Sequence, residues 1–452
     1  MPRRGGSALL LGCVAAWAAG NADAQTSDGI LWCGGVTHET ANFRVESPLE
    51  SDVFVLHIDK TFPATPAAVV RIPVLGGVTA IDMAPKPDTL AADTTYYYAL
   101  ESGLAEDPPR YGAFTTMPVP NTAKSFSFAF SSCAESGSEH EVFSEVARIQ
   151  NEAEDTTHPH LFFLHMGDIF YEDIGDNDLQ KFRDGYRKVW SSATQSELFR
   201  NKPLVYMWDD HDFGENDSDG SSESRSAARN AYQMFVPHHT LPAAPADTAG
   251  KAVDVPIYHA YTVGRVRFII LDLRSASEDT QDSASWLDSS KPTMLGAAQK
   301  VWLRAELAEF ANYGMMVMVS SKPWSGATNT EKCCKWMNYP DERVEVADMV
   351  QELGVTNVVM TAGDSHMIAY DDGTNTDFAT TPGAGFPLMH SAPMHQVASY
   401  KGGPYTEGCY AKLVSVGEYV QWFLTFGKAS PTSNQFSVME VTDDGTTISF
   451  KA

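Results

Sequence analysis

A chain of 452 residues is too long for one small domain, and 43% hydrophobic against 20% charged residues is the balance of a folded protein rather than a disordered one. Its 58 acidic and 32 basic residues leave a formal charge of −26, which argues against a basic nucleic-acid-binding surface. Such an excess of carboxylates suits a soluble protein in a salty or extracellular medium, with some acids free to bind hard cations.

At the N-terminus, Arg3 and Arg4 precede a short apolar stretch from Ala8 to Ala19, and Ala22-Asp23-Ala24 fits a cleavage site. The pattern predicts a signal peptide over residues 1–24 and a secreted, periplasmic or cell-surface protein. No later segment is apolar enough for a membrane span. Beyond residue 24 stand Cys33, Cys133, Cys333, Cys334 and Cys409, an odd number. Cys133 ends a strand-like run and is expected to be unpaired. The other four could form two disulfides in one of three connectivities.

From Gly29 to Met117 short alternating segments are separated by turn residues: Asn42–Glu46, Val53–His57, Ala68–Ile72, Thr95–Leu100 and Gly112–Thr116. Regular alternation predicts a small β-sandwich domain over residues 25–118. Pro118 and Pro120 mark a linker. From residue 125 to 452 apolar strands alternate with helical periodicity, which predicts a layered α/β domain. Strands are expected at Phe126–Phe130, Leu161–Met166, Leu204–Trp208, Val266–Leu271, Met315–Val319 and Val355–Met360. Helices are expected around Val142–Ile149, Phe182–Val189, Val301–Phe310 (with Gly314 as a cap) and Val344–Leu353 (with Gly354 beyond it). The tail predicts a hairpin across Asp443-Asp444-Gly445.

Four of these runs end in chemistry-bearing residues: Ser131-Ser132-Cys133, Gly167-Asp168 with Tyr171, Trp208-Asp209-Asp210-His211-Asp212 with Asn216 beyond, and Gly363-Asp364-Ser365-His366. In α/β sheets ligand sites lie beyond the carboxyl ends of the strands. Taken singly, each residue has an ordinary structural explanation: a helix cap for Asp209 or Asp210, a buried thiol for Cys133, a core ring for Tyr171, a structural imidazole for His366. Together they gather carboxylates that would repel one another and lose hydration unless cations offset the charge. Oxygen donors suit Ca, Mg or Mn, whereas imidazole, thiolate and phenolate suit a transition metal. The mixture predicts two or more metals with Asp168 as a shared ligand. His165 and Asp173 receive no role beyond structure.

The series Ser131-Ser-Cys133, Gly167-Asp-Ile-Phe-Tyr171, Trp208-Asp-Asp-His-Asp-Phe-Gly-Glu-Asn216, Leu271-Asp-Leu-Arg274 and Gly363-Asp-Ser-His366 resembles the PhoD-like alkaline phosphatase family of calcineurin-like metallophosphatases. The resemblance runs from about Phe126 to Tyr370. It implies a four-layer αββα sandwich after a small N-terminal β-sandwich, and an Fe(III) ion with Ca2+, two calcium ions being suspected. It implies that Cys133, Asp168, Tyr171 and His366 hold iron, and that Asp168 bridges to calcium sites completed by one or both of Asp209 and Asp210 (the analogy favouring Asp210), Asn216 and Asp364. His211 would assist the leaving group, and Arg225 or Arg229 would contact phosphate. Asp212 departs from the glutamate common at that position, a difference expected to bear on substrate preference. The activity implied is hydrolysis of phosphate esters by a metal-activated water. A phosphodiesterase with the same centre is the neighbouring alternative, and a secreted binding protein with a structural metal is the alternative of another class. Small phosphate esters are the expected partners.

Overall fold

A computed structural model describes residues 31–46, 54–60, 68–72, 78–83, 90–102, 110–151, 158–243, 255–278, 292–326, 335–399, 401–408, 411–416, 419–424 and 434–451. Seven strands come first: β1 Leu31–Gly34, β2 Ala41–Glu46, β3 Phe54–Asp59, β4 Ala68–Ile72, β5 Val78–Met83, β6 Thr95–Ser102 and β7 Arg110–Thr115. Then follow β8 Phe126–Ser131, α1 Glu141–Asn151, β9 His160–Met166, α2 Leu179–Ser191, α3 Ala193–Asn201, β10 Leu204–Met207 and α4 Arg225–Phe235. The second half has β11 His259–Val263, β12 Val266–Ile270, α5 Gly296–Ala308, β13 Met315–Ser320, α6 Pro340–Leu353, β14 Val358–Ala362, β15 Ile368–Asp371, β16 Leu388–Ser391 and β17 Glu407–Gly408. Two hairpins close the chain, β18 Ala411–Val416 with β19 Tyr419–Leu424, and β20 Ser437–Asp443 with β21 Ile448–Lys451.

Local chemistry sets several boundaries. The Asp178 side chain accepts from the Gln180 amide and starts α2. Pro340 opens α6, with Asp341 and Glu342 in its first turn, where the helix dipole favours acids. Gly354, at φ +67°, ends it. The Val355 amide still bonds back to Val350, so β14 begins at Val358 rather than at Val355. Gly314 caps no helix: α5 stops at Ala308, a 3-10 turn follows at Phe310–Asn312, and the Gly314 amide donates to Arg265.

The chain is a mixed α/β protein built on several sheets. An eight-stranded sheet runs β21-β20-β8-β9-β10-β1-β2-β5, and a seven-stranded sheet runs β11-β12-β13-β14-β16-β15-β17. β8, β9 and β10 are mutually parallel, as are β12, β13, β14 and β16. Apart from Arg267 of β12 these strands are buried along their length, which explains why most read as continuous apolar runs. The sheets meet through Phe128 and Phe162, whose rings lie 5.3 and 5.4 Å from Phe268. Alternation then decides the outer faces. On β13, Met315, Val317 and Val319 join the core between the sheets. Met316 and Met318 join Leu303 and Leu307 of α5 and Val346 and Val350 of α6. On β9, Phe163 turns instead toward Phe199 of α3, at 6.1 Å.

Periodicity alone places residues 25–118 in a separate sandwich, and the structure divides those strands differently. β1, β2 and β5 extend the eight-stranded sheet, because β1 pairs in parallel with β10 at Gly34 and Leu204. β4-β3-β6-β7 form a sheet of their own. It packs on the extension through Phe43, whose ring is 5.1 Å from Tyr98 and 5.8 Å from Phe114. Cys33 lies inside β1 as a buried free thiol rather than a disulfide partner, and Cys133 is free as expected. Cys333, Cys334, Cys409 and the expected signal peptide lie outside the described residues. Among the described residues no helix is long and apolar enough to cross a membrane.

Two glycines predict different costs. At Gly354 (φ +67°) an added Cβ would meet nothing within 4 Å. At Gly167 (φ +102°) it would lie 2.6 Å from the Asp209 Cβ and 2.9 Å from the Asp209 amide nitrogen. Gly354→Ala should cost about 1 kcal/mol, from backbone conformation alone. Gly167→Ala should cost roughly 2–5 kcal/mol, from strain plus overpacking. Urea unfolding of both variants checks this; equal losses would refute it.

Candidate metal centre

The carboxyl ends of the parallel strands from both sheets converge. Cys133 follows β8, Asp168 follows β9, Asp209 and Asp210 follow β10, and Asp364 and His366 follow β14. Cys133, Asp168, Asp364 and His366 all take left-handed backbone angles, with φ of 62, 56, 61 and 47°. Residues other than glycine adopt these angles uncommonly, and such strain concentrates at functional sites. Hydrogen bonds between neighbouring strand ends hold it in place. The Cys133 and Ala134 amides donate to the Gly167 and Asp168 carbonyls at 3.1 and 2.9 Å, and the Asp364 amide donates to Ser132 Oγ at 3.3 Å.

Asp168 is the node. Its Oδ2 accepts from the Tyr171 hydroxyl at 3.1 Å and faces Cys133 Sγ at 3.4 Å, and its Oδ1 accepts from the His211 amide at 3.3 Å. Tyr171 OH also lies 3.4 Å from His366 Nε2, whose other ring nitrogen is bound to the Val397 carbonyl at 2.6 Å. Ligating atoms of Asp168, Asp210 and His211 all lie within 4.8 Å of one another, close enough for one metal ion. Arg274 closes the far side: its Nε is 2.6 Å from Asp209 Oδ1 and its Nη2 is 3.3 Å from Asp210 Oδ1.

Burial, and then the charges of Asp210, Asp209, Asp212 and Asp364, push the Asp168 carboxyl well above its usual range. Burial and the Asp168 charge likewise raise the Cys133 thiol and the Tyr171 phenol. Asp210 goes the other way: against the burial penalty, Arg274, His211 and the Asp217 amide hold it well below. Asp364 is also lowered, because Lys401 outweighs its burial. These three groups, whose charged forms burial disfavours, are those that a bound cation would ionise. Asp209 Oδ2 is buried with no hydrogen-bond partner, a state that costs free energy unless a cation or water meets it. Donor chemistry and electrostatics both fit a metal ion.

The remaining expected residues fall less centrally. Asn216 is exposed and bonds its neighbour Asp217 at 2.8 Å. Arg225 donates to the Gly220 carbonyl and Arg229 to the Ser275 carbonyl. Both line a cavity of about 240 Å³ with Pro256, Tyr258 and the start of α5, and none of the site acids Asp168, Asp209, Asp210 or Asp364 lines it. Three residues enter that sequence reasoning left without a role. Arg274 stands in the Leu271–Arg274 stretch, the one signal that could have drawn notice. Asp173 binds His211 Nδ1 at 2.5 Å, and Lys401 is ion-paired with Asp364. Asp212 turns inward. Its carboxylate accepts from the Ile169 and Asp209 amides at 2.9 and 2.6 Å and from Tyr206 at 2.6 Å. Burial pushes it up to about 7 against the lowering by those three bonds.

The profile of PhoD-like phosphatases matches residues 128–401, more than half of the chain, including every strand-end residue of the centre. No curated protein matches the sequence. Among solved structures, the fold is similar to that of PhoD, with a TM-score of 0.64 and 16% identity, covering 93% of this chain and 91% of that one. It is also similar to the purple acid phosphatase PPD1 from yellow lupin (Lupinus luteus) seeds, with a TM-score of 0.55 and 12% identity, covering 92% of this chain and 70% of that one. Both likenesses concern the fold, and the profile match carries the kinship: this chain belongs to the PhoD-like phosphatase family and is a phosphoric ester hydrolase.

Proposed function

We propose that the protein is a secreted, metal-dependent alkaline phosphatase that releases inorganic phosphate from monoesters and some diesters. The observation that carries the reading is the approach of Asp168, Asp210 and His211 within 4.8 Å, beside a phenol and a thiol on the same Asp168 carboxylate. In this reading Cys133, Asp168, Tyr171 and His366 would hold Fe(III), and Asp168 would also serve Ca2+. Asp209, Asp210, Asn216 and Asp364 serve two calcium positions. The bound ions would supply Lewis acidity that activates water and offsets phosphoryl charge.

The protein's own groups prepare that chemistry. Arg274 holds Asp209 and Asp210 in fixed orientation. Asp173 engages His211 at Nδ1, which leaves Nε2 to give a proton to the leaving oxygen. Arg225 or Arg229 would contact phosphate, though the cavity that both line holds none of the acids of the centre. No protein nucleophile is required. We read the layering as a four-layer αββα sandwich whose larger sheet takes in β1, β2 and β5, with β4-β3-β6-β7 packed beside it and a signal peptide over residues 1–24.

Chelation, and separately Asp168→Asn, should lower hydrolysis of an aryl phosphate at alkaline pH by at least about 100-fold, because the shared ligand is lost. Full activity in either case would sink the proposal. Iron bound to the Tyr171 phenolate should give natively purified protein a visible charge-transfer band. Tyr171→Phe should abolish that band while elemental analysis still finds iron; a band that survives the substitution excludes this ligand.

A further inference from the structure

Two cations touch the carboxylates of the centre, and they differ in exposure. The Arg274 and Asp209 side chains are 2% and 1% exposed. Lys401 and its partner Asp364 are 27% and 11% exposed. The guanidinium is therefore sealed among the acids, whereas the Lys401 side chain keeps part of its surface open to solvent. Lys401 Nζ donates to Asp364 Oδ1, and Asp210 and Cys133 lie near enough for their charges to act on it.

The segment that delivers this ammonium is fastened to the strand ends. The Met394 and His395 amides donate to the Ser132 and Cys133 carbonyls at 2.9 and 3.1 Å. The Ser399 amide donates to the His366 carbonyl at 3.1 Å, and the Gly403 amide donates to Ser325 at 3.2 Å. Tyr405 OH donates to the carbonyl of Lys401 itself at 3.1 Å. The side chain thus leaves a backbone fixed on both sides and reaches the same acids that gather around Asp168.

We propose that Lys401 is a phosphate-contacting residue, its ammonium bridging Asp364 and a phosphoryl oxygen of the substrate. The proposal rests on the phosphatase reading above. An ammonium has three donors, and Asp364 takes one, so two remain for an incoming anion. A phosphate ester approaching several carboxylates meets repulsion, and a cation on the open face offsets it at the point of entry. A flexible lysine stem can follow the phosphoryl group between bound and leaving positions, which a buried guanidinium cannot.

The test uses metal-replete protein, with inorganic phosphate binding measured by calorimetry beside kinetics on an aryl phosphate. Lys401→Met should weaken phosphate binding and raise KM roughly 10- to 100-fold, with metal content and Tm unchanged. Lys401→Arg should recover part of the loss. Unchanged phosphate affinity in an active Lys401→Met enzyme overturns this proposal alone. So does a loss of bound metal in that variant, which would make the lysine a support for the ions. A wild-type protein that hydrolyses no phosphate ester overturns the functional reading itself.

Discussion

Mutual repulsion among Asp168, Asp209, Asp210, Asp212 and Asp364 is the constraint on which the centre depends. Left in an apolar interior, such a group would hold protons and lose its affinity for cations. The protein meets the repulsion acid by acid. Arg274 neutralises Asp209 and Asp210 from behind, Lys401 neutralises Asp364 from in front, and Asp212 turns away into backbone amides and a tyrosine hydroxyl. Like Asp212, Asp168 has no cationic side chain among its described hydrogen-bond partners. It meets a phenol, a thiol and an amide. Asp212 is turned away from the cluster, so the acid without a cation at its middle is Asp168, which lies within reach of Asp210 and His211 for one metal ion.

Much of the α/β body was legible because its parallel strands are buried on both faces. Burial on both faces forces a continuous apolar run, and Leu161–Met166 and Met315–Val319 show it directly. Pairing between distant strands leaves no such local mark. Nothing in Leu31–Gly34 announces that it lies beside Leu204, so alternation made the N-terminal region look self-contained. The C-terminal hairpin was legible from its turn, whereas its docking on β8, with Ser437 opposite Phe130, was not. Periodicity reports the environment of a strand, and the identity of its neighbour is settled by packing across the whole chain.

The same division runs through the site. Strand ends could be read, and with them Cys133, Asp168, Asp209, Asp210 and Asp364. Positive φ angles could not, because they belong to non-glycine residues whose neighbours enforce the strain. Residues that reach in from elsewhere were missed for a related reason. Lys401 precedes two glycines in a segment without acids or strand pattern, and Asp173 lies in a short loop beyond Tyr171. Arg225 and Arg229 drew attention because a guanidinium matches phosphate oxygens, and the fold sets both on a cavity beside α5, while Arg274 is the guanidinium on Asp209 and Asp210.

The departure at Asp212 now has a physical account. Its carboxylate binds the Ile169 amide beyond β9, the Asp209 amide beyond β10, and Tyr206 within β10. One buried acid therefore ties together the two loops that carry Asp168 and Asp209. Aspartate fits the spacing between these amides in this chain. The tight approach of Gly167 to Asp209 belongs to the same arrangement, since any Cβ at Gly167 would push these loops apart. The centre is thus set by how closely adjacent strand ends can approach. That requirement can persist while most core side chains change, which is how 12–16% identity coexists with a shared fold over more than nine-tenths of this chain.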